Sequence, residues 1–200
     1  DQEWDLTSLL PTVSANRGIE AVEWVSDEEL TGALFDTNTN AAYDPAVYSG
    51  KADGVFFVGF EDNGHVYGFA FNPDGTAQLI AEILPGMQSV MALDWDSVSG
   101  GLWAVCDNTC NAGAGATTFI ELNGTAAPAL STFAQPAGLP AGSESVANFE
   151  GFATAPAVLM GDPAPAAISA FNLSAAATGE SRPAWWTRDG HASGALFAGS

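Results

Sequence analysis

Two hundred residues are enough for one domain with a sizeable core, and a chain that is 47% hydrophobic and 14% charged is not disordered through low hydropathy. The net charge of −20 reflects missing bases: 24 Asp and Glu stand against Arg17, Lys51, Arg182 and Arg188. That balance excludes nucleic-acid binding by phosphate neutralisation and docking to anionic lipid, and it favours a cationic partner.

Residues 1–17 hold an apolar patch, Leu6–Val13, broken by Pro11, and read as a connector or an outer strand. Gly18–Val25 (GIEAVEWV) follows as a first strand. Ser26–Asp53 is a long polar insertion rich in Asn, Asp and Tyr, of the kind that is functional or disordered. Asp36, Asn38, Asn40 and Asp44 alternate within it like a calcium loop, but the glycine and closing glutamate of an EF-hand are missing, so a solvated loop is the first reading and a cation site the second. Three strands come next: Gly54–Phe60, His65–Phe71 and Thr76–Leu84. Asn63-Gly64 predicts a tight hairpin, since both residues tolerate positive φ, and Asn72-Pro-Asp-Gly75 predicts a turn.

The second unit, residues 88–147, repeats this plan. Val90–Trp95 is a strand, Asp96–Gly101 a turn, and Leu102–Cys106, Thr117–Leu122 and Ala129–Ala134 are further strands. Cys106 and Cys110 stand in CDNTC. Such a pair could hold a metal, but two thiolates without a nearby histidine make a poor zinc site, and a short disulfide loop is the better reading. A disulfide implies an oxidising, extracytoplasmic setting. No leader is visible, and no apolar run approaches the roughly 20 residues of a membrane span. A secreted protein would therefore have lost its leader. Asn123 and Asn172 open glycosylation triplets that carry no weight alone.

The third unit, residues 148–200, contains Glu150–Thr154, Ala157–Met160, Ala166–Leu173 and Pro183–Thr187 as strand candidates. The segments 124–145 and 174–181 read as small-residue connectors. His191–Ser200 is expected to lend a strand to the first sheet of a complete ring.

Glu20–Trp24 (EAVEW), Met91–Trp95 (MALDW) and Glu150–Thr154 (EGFAT) superpose without gaps; position 20 to 91 is 71 residues and 91 to 150 a further 59. Periods of this size built from short strands predict an all-β repeat, three four-stranded antiparallel blades of a β-propeller. A β-sandwich would not produce the threefold register. Three blades cannot close a ring, so further blades are expected from a longer chain or from another chain.

GIEAVEW, DGVFFVGFEDNGHVYGFAFNPDG, SVMALDWDSVSGGLWAVCDNTC and NFEGFAT together resemble secreted bacterial propellers of the phytase-like group, known for the esterase-like activity of phytase. The resemblance, across roughly residues 18–187, implies a ring of about six blades with calcium-binding acidic residues near its channel. True phytases also hold substrate phosphates with basic residues, which are scarce here.

Glu20 and Glu150 share one place in two first strands, with Met91 in that place between them. With Asn148 and Asp107 they form a candidate hard-oxygen site for Ca²⁺, which could polarise an ester or phosphoester and activate water. The alternative is a non-catalytic extracellular propeller that binds a ligand or partner protein, with calcium structural or absent. No G-x-S-x-G elbow occurs, and His65 and His191 lack a serine–acid context. Trp24, Trp95 and Trp103 are expected to pack between blades, and one of Trp185 and Trp186 to be exposed.

Overall fold

A computed structural model describes residues 2–110, 115–134, 149–155, 184–188 and 196–199. Alternating apolar residues between Asp/Gly turns form strands wherever the sequence pattern is strong. The first sheet consists of β1 (Ile19–Val25), β4 (Val55–Phe60), β5 (Val66–Phe71) and β6 (Ala77–Ile83), paired antiparallel in that order. The second is its counterpart: β7 (Ala92–Asp96), β8 (Gly101–Cys106), β9 (Ala116–Glu121) and β10 (Ala129–Ala134), each pairing with the next. The third contains β11 (Phe149–Thr154), β12 (Ala184–Arg188) and β13 (Leu196–Gly199).

The first strands are neighbours: β7 packs against β1 on one side and β11 on the other. Between the first two sheets, Val25, Val55, Phe57, Val66, Ile80, Val90, Leu93 and Leu102 form the main core. Ala92, Val105, Phe149 and Trp186 form a second, smaller core between the second and third sheets. Alternation along each strand supplies both faces.

The third sheet departs from expectation. β12 pairs directly with β11, so the 183–187 region is the second strand of its sheet rather than the last. β13 pairs with β12, so among the described residues the C-terminal strand lies in the third sheet rather than in the first blade of a larger ring. Ala157–Met160, Ala166–Leu173 and the connector 174–181 lie outside the described residues, as does 135–145 of the segment 124–145.

The N-terminal patch forms no strand. Leu6, Leu9, Leu10 and Val13 instead cover the outer face of the first sheet, over Val58, Phe60, Tyr67 and Phe69. Trp4 stacks on Phe71 with ring centroids 4.7 Å apart and donates its indole N–H to the Asn72 carbonyl at 3.0 Å.

Nor is the insertion a solvated loop. Ser26 caps α1 (Asp27–Leu30), whose first turn is wholly acidic, as the helix dipole favours. A short hairpin follows, β2 (Phe35–Asp36) with β3 (Ala41–Ala42), then a 3₁₀ turn at Pro45–Val47. Leu30, Leu34, Tyr43 and Tyr48 join the main core. A bulge on β6 offsets Ile80 from β5, and its carbonyl accepts the Thr37 N–H and hydroxyl at 2.9 and 2.8 Å. Hydrophobic anchors spaced among polar residues gave no period, and burial came from these long-range contacts.

At the Asn63-Gly64 turn only Gly64 adopts positive φ (68°). The hairpin is therefore longer than a two-residue primed turn, with Gly64 N–H bonded to the Phe60 carbonyl and Asn63 Oδ1 accepting the His65 N–H. A Cβ on Gly64 would strike the Met87 carbonyl, which is why the connector between the first two sheets can cross so closely.

Candidate functional site

Glu20 and Glu150 sit on matching backbone irregularities. In β1 the pairing runs Ile19 with Phe60, then Ala21 with Gly59, leaving Glu20 as the extra residue of a bulge. In β11, Phe149 pairs with Arg188 and Gly151 with Thr187, leaving Glu150 in the same role. Between them, Met91 donates its N–H to the Val105 carbonyl at 2.8 Å although Ala92 is the register partner of Val105. Two residues of the first strand thus meet one of the second in every sheet. Bulges re-aim side chains, and these place two glutamates at the same end of their strands, both exposed.

Asp107 is buried at that end. Its Oδ1 accepts the Ser89 hydroxyl at 2.8 Å, the Thr109 hydroxyl at 2.7 Å and the Thr109 N–H at 3.0 Å. Those bonds pin the loop closed by the Cys106–Cys110 disulfide, which the sequence spacing anticipated. Met87 packs on the disulfide, and the Gln88 N–H points at Cys110 Sγ, 3.4 Å away.

Sequence reading passed over Glu61 and Arg17. Pairing of β1 with β4 brings them together just beyond the strand ends: Arg17 Nε lies 3.5 Å from Glu61 Oε1 and Nη1 3.3 Å from Asp62 Oδ1. Burial raises the Glu61 carboxyl above its usual range, Arg17 opposes the rise, and the charges of Glu20 and Asp107 add to it. Glu20, Glu61 and Asp107 therefore share one electrostatic field. The available signal was positional, one charged residue preceding β1 and another following its partner strand.

Among the described residues, no three carboxylate, imidazole or thiolate groups are arranged to hold a metal ion. Asp107 spends an oxygen on three internal donors, and Asn148 lies outside the described residues. The described carboxylates do not assemble a calcium shell among themselves.

The insertion's alternating acids are also committed. Asp36 is fully buried, accepting the Tyr48 hydroxyl at 2.6 Å and the Asn38 N–H at 2.8 Å. Burial, then that bond, pushes the Tyr48 phenol up to about 12. Asn38 Nδ2 donates to the Tyr48 hydroxyl and the Leu79 carbonyl, and Asp44 caps the 3₁₀ turn through the Ala46 N–H. Asn40 takes a left-handed turn conformation, φ 53°. The alternation serves local folding.

A second pair of carboxylates, absent from the sequence-derived site, lies further along the first strands. Glu23 on β1 faces Asp94 on β7; burial and then the Asp94 charge push its carboxyl up to about 7, against hydrogen bonding from the Trp95 and Trp24 N–H groups. Asp94 Oδ2 accepts both the N–H and the hydroxyl of Thr154 on β11, at 2.9 and 2.6 Å.

Among the other candidates, His65 pairs with Glu82 at 2.7 Å on the sheet edge, and His191 lies outside the described residues. Trp103 does pack between sheets, against Phe152 of β11, whereas Trp24 is 44% exposed with its indole N–H on the Asp53 carbonyl. Trp186 is buried and Trp185 half-buried. No helix among the described residues is long and apolar enough to cross a membrane. No family model, curated protein or solved structure matches the chain.

Proposed function

We propose that the protein is a non-catalytic, extracytoplasmic β-propeller module that captures a cationic ligand or partner protein at the end of its first strands. The observation that carries this reading is the gathering of Glu20, Glu61 and Asp107 into one electrostatic field, with Glu150 on the matching bulge of β11. With one nearby arginine already paired to Glu61 and Asp62, the surplus negative charge there attracts cations. The disulfide supports an oxidising compartment.

The propeller reading draws on three sheets in like order, adjacent first strands and repeated bulges. It also draws on a difference between equivalent positions. Val90, Leu93 and Trp95 pack into the core against the first sheet, while their counterparts Ile19, Val22 and Trp24 are 44%, 65% and 44% exposed. That apolar stripe is where a preceding blade of a ring of about six would pack.

The second reading is a calcium-assisted hydrolase of phosphoesters or other esters, as the phytase-like resemblance implies. The matching bulges of Glu20 and Glu150 favour it, since they turn two carboxylates toward a common end. One calorimetric experiment separates the readings: titrate the protein, and a Glu20→Gln/Glu61→Gln variant, with an oligolysine peptide and with Ca²⁺. Saturable peptide binding that the variant loses is the expected result. Calcium binding accompanied by chelator-sensitive turnover of an aryl phosphate or aryl ester would favour the hydrolase. Heats indistinguishable from dilution for both titrants would reject both.

A further inference from the structure

Asn123 lies in the turn between β9 and β10 and opens the triplet Asn123-Gly124-Thr125, the acceptor pattern for N-linked glycosylation. The pattern carries information only where the chain presents it. Here Asn123 and Thr125 are both exposed, just beyond the end of β9 at Glu121.

Gly124 holds this turn in place. Its φ is 72°, its N–H donates to the Ala33 carbonyl, and a Cβ there would lie 2.5 Å from the Gly32 carbonyl oxygen. The middle residue of the triplet therefore packs on the insertion, while the residues on either side of it remain at the surface.

The side-chain bonds leave the reacting atom available. Asn123 Oδ1 accepts the Thr125 hydroxyl at 2.7 Å and the Thr125 N–H at 3.0 Å. Nδ2 carries two hydrogens, and one of them serves the Ala127 carbonyl at 3.1 Å. Among the described residues the other has no acceptor, so a substituent can replace it without breaking a bond of the turn.

We propose that Asn123 is the attachment site of an N-linked glycan. The sugar donor is an oligosaccharide carried on a lipid diphosphate. Nδ2 bonds to the anomeric carbon, the bond from that carbon to the diphosphate oxygen breaks, the lipid diphosphate leaves with the electron pair, and the amide proton passes to the base of the transferase. The inference rests on the extracytoplasmic setting proposed above, where such transfer takes place. It is compatible with capture at the acidic end of the first strands. Glu121 pairs with Gly101, whereas Asp107 follows Cys106 at the other end of β8, so a bulky, solvated glycan at Asn123 stands at the opposite end of the second sheet.

The test is a peptide map, made without reduction, of the protein isolated from the organism that produces it. Cleavage after glutamate gives residues 122–144, which contain Asn123 and not Asn172, and residues 83–121, which contain both cysteines. The expected result is a 122–144 peptide bearing sugar that fragmentation locates on Asn123, beside an intact disulfide in 83–121. Thr125→Val keeps the asparagine but removes the hydroxyl that the acceptor pattern requires, and its peptide is expected to carry no sugar. An unmodified Asn123 beside an intact disulfide would overturn the glycan and leave the extracytoplasmic reading standing. Unmodified Asn123 beside free thiols would overturn both. Sugar located on a serine or threonine instead, or retained on Asn123 in Thr125→Val, would overturn the assignment of the triplet.

Discussion

Lys51, the chain's one lysine, shows how a single side chain can convert a polar insertion into part of the core. Its side chain is 4% exposed, with Nζ 2.6 and 2.7 Å from the two Asp27 oxygens and 2.9 Å from the Ala52 carbonyl. Asp27 also accepts the Tyr43 hydroxyl at 2.8 Å, and burial followed by that bond pushes the Tyr43 phenol far up. Removing one member of a buried, hydrogen-bonded pair leaves the other charge without its counterion, at a cost of several kcal/mol. Lys51→Met is expected to destabilise the protein by about 3 kcal/mol in urea unfolding. A loss under about 0.5 kcal/mol would mean that the pair behaves as an exposed surface contact.

At the scale of elements, the contacts between sheets matter more than the strands themselves. Trp103 on β8 lies 4.8 Å from Phe119 and 5.8 Å from Phe133 of its own sheet, ring centroid to centroid, and 5.9 Å from Phe152 of β11. Its indole N–H is directed at Asp96 Oδ2, 3.4 Å away, while the other Asp96 oxygen holds the Val98 and Ser99 N–H groups of the β7–β8 turn. One residue thus ties a turn, a sheet and an inter-sheet contact together. Trp103→Ala should cost about 3–5 kcal/mol through the cavity and the lost transfer of a large side chain. If the third sheet depends on it, hydrogen exchange will show β11 amides becoming faster before those of β4 and β5. Uniform acceleration across all three sheets would instead indicate one indivisible unfolding unit.

For the whole molecule, the net charge of −20 is the dominant global term. Carboxylates with few cations repel one another, and the compact state bears more of that repulsion than the expanded chain. Salt should therefore stabilise this protein. The thermal midpoint is expected to rise between about 0.01 M and about 0.5 M NaCl, where the Debye length contracts from about 30 Å to a few ångströms. A flat or falling midpoint would show that local ion pairs such as Lys51–Asp27 and Arg17–Glu61 outweigh the global field.

What the sequence by itself determined was local. Alternation placed the strands of the first two sheets to within two or three residues of their limits, Asp/Gly turns marked their ends, and the EAVEW, MALDW and EGFAT copies identified the three first strands. The spacing of Cys106 and Cys110 anticipated the disulfide. These features follow from side-chain periodicity and turn chemistry, which act over a few residues. Tertiary structure alone decided which acids meet. Arg17 reaches Glu61 only because β1 pairs with β4 across the insertion, and Glu23 meets Asp94 only because β7 packs beside β1. The insertion looked solvated because its anchors, Leu30, Leu34, Tyr43 and Tyr48, follow no period, and their burial depends on faces supplied by distant strands. A carboxylate's role as cap, ion-pair partner or proton store is set by its neighbours' charge and solvation, and those neighbours are chosen by long-range packing.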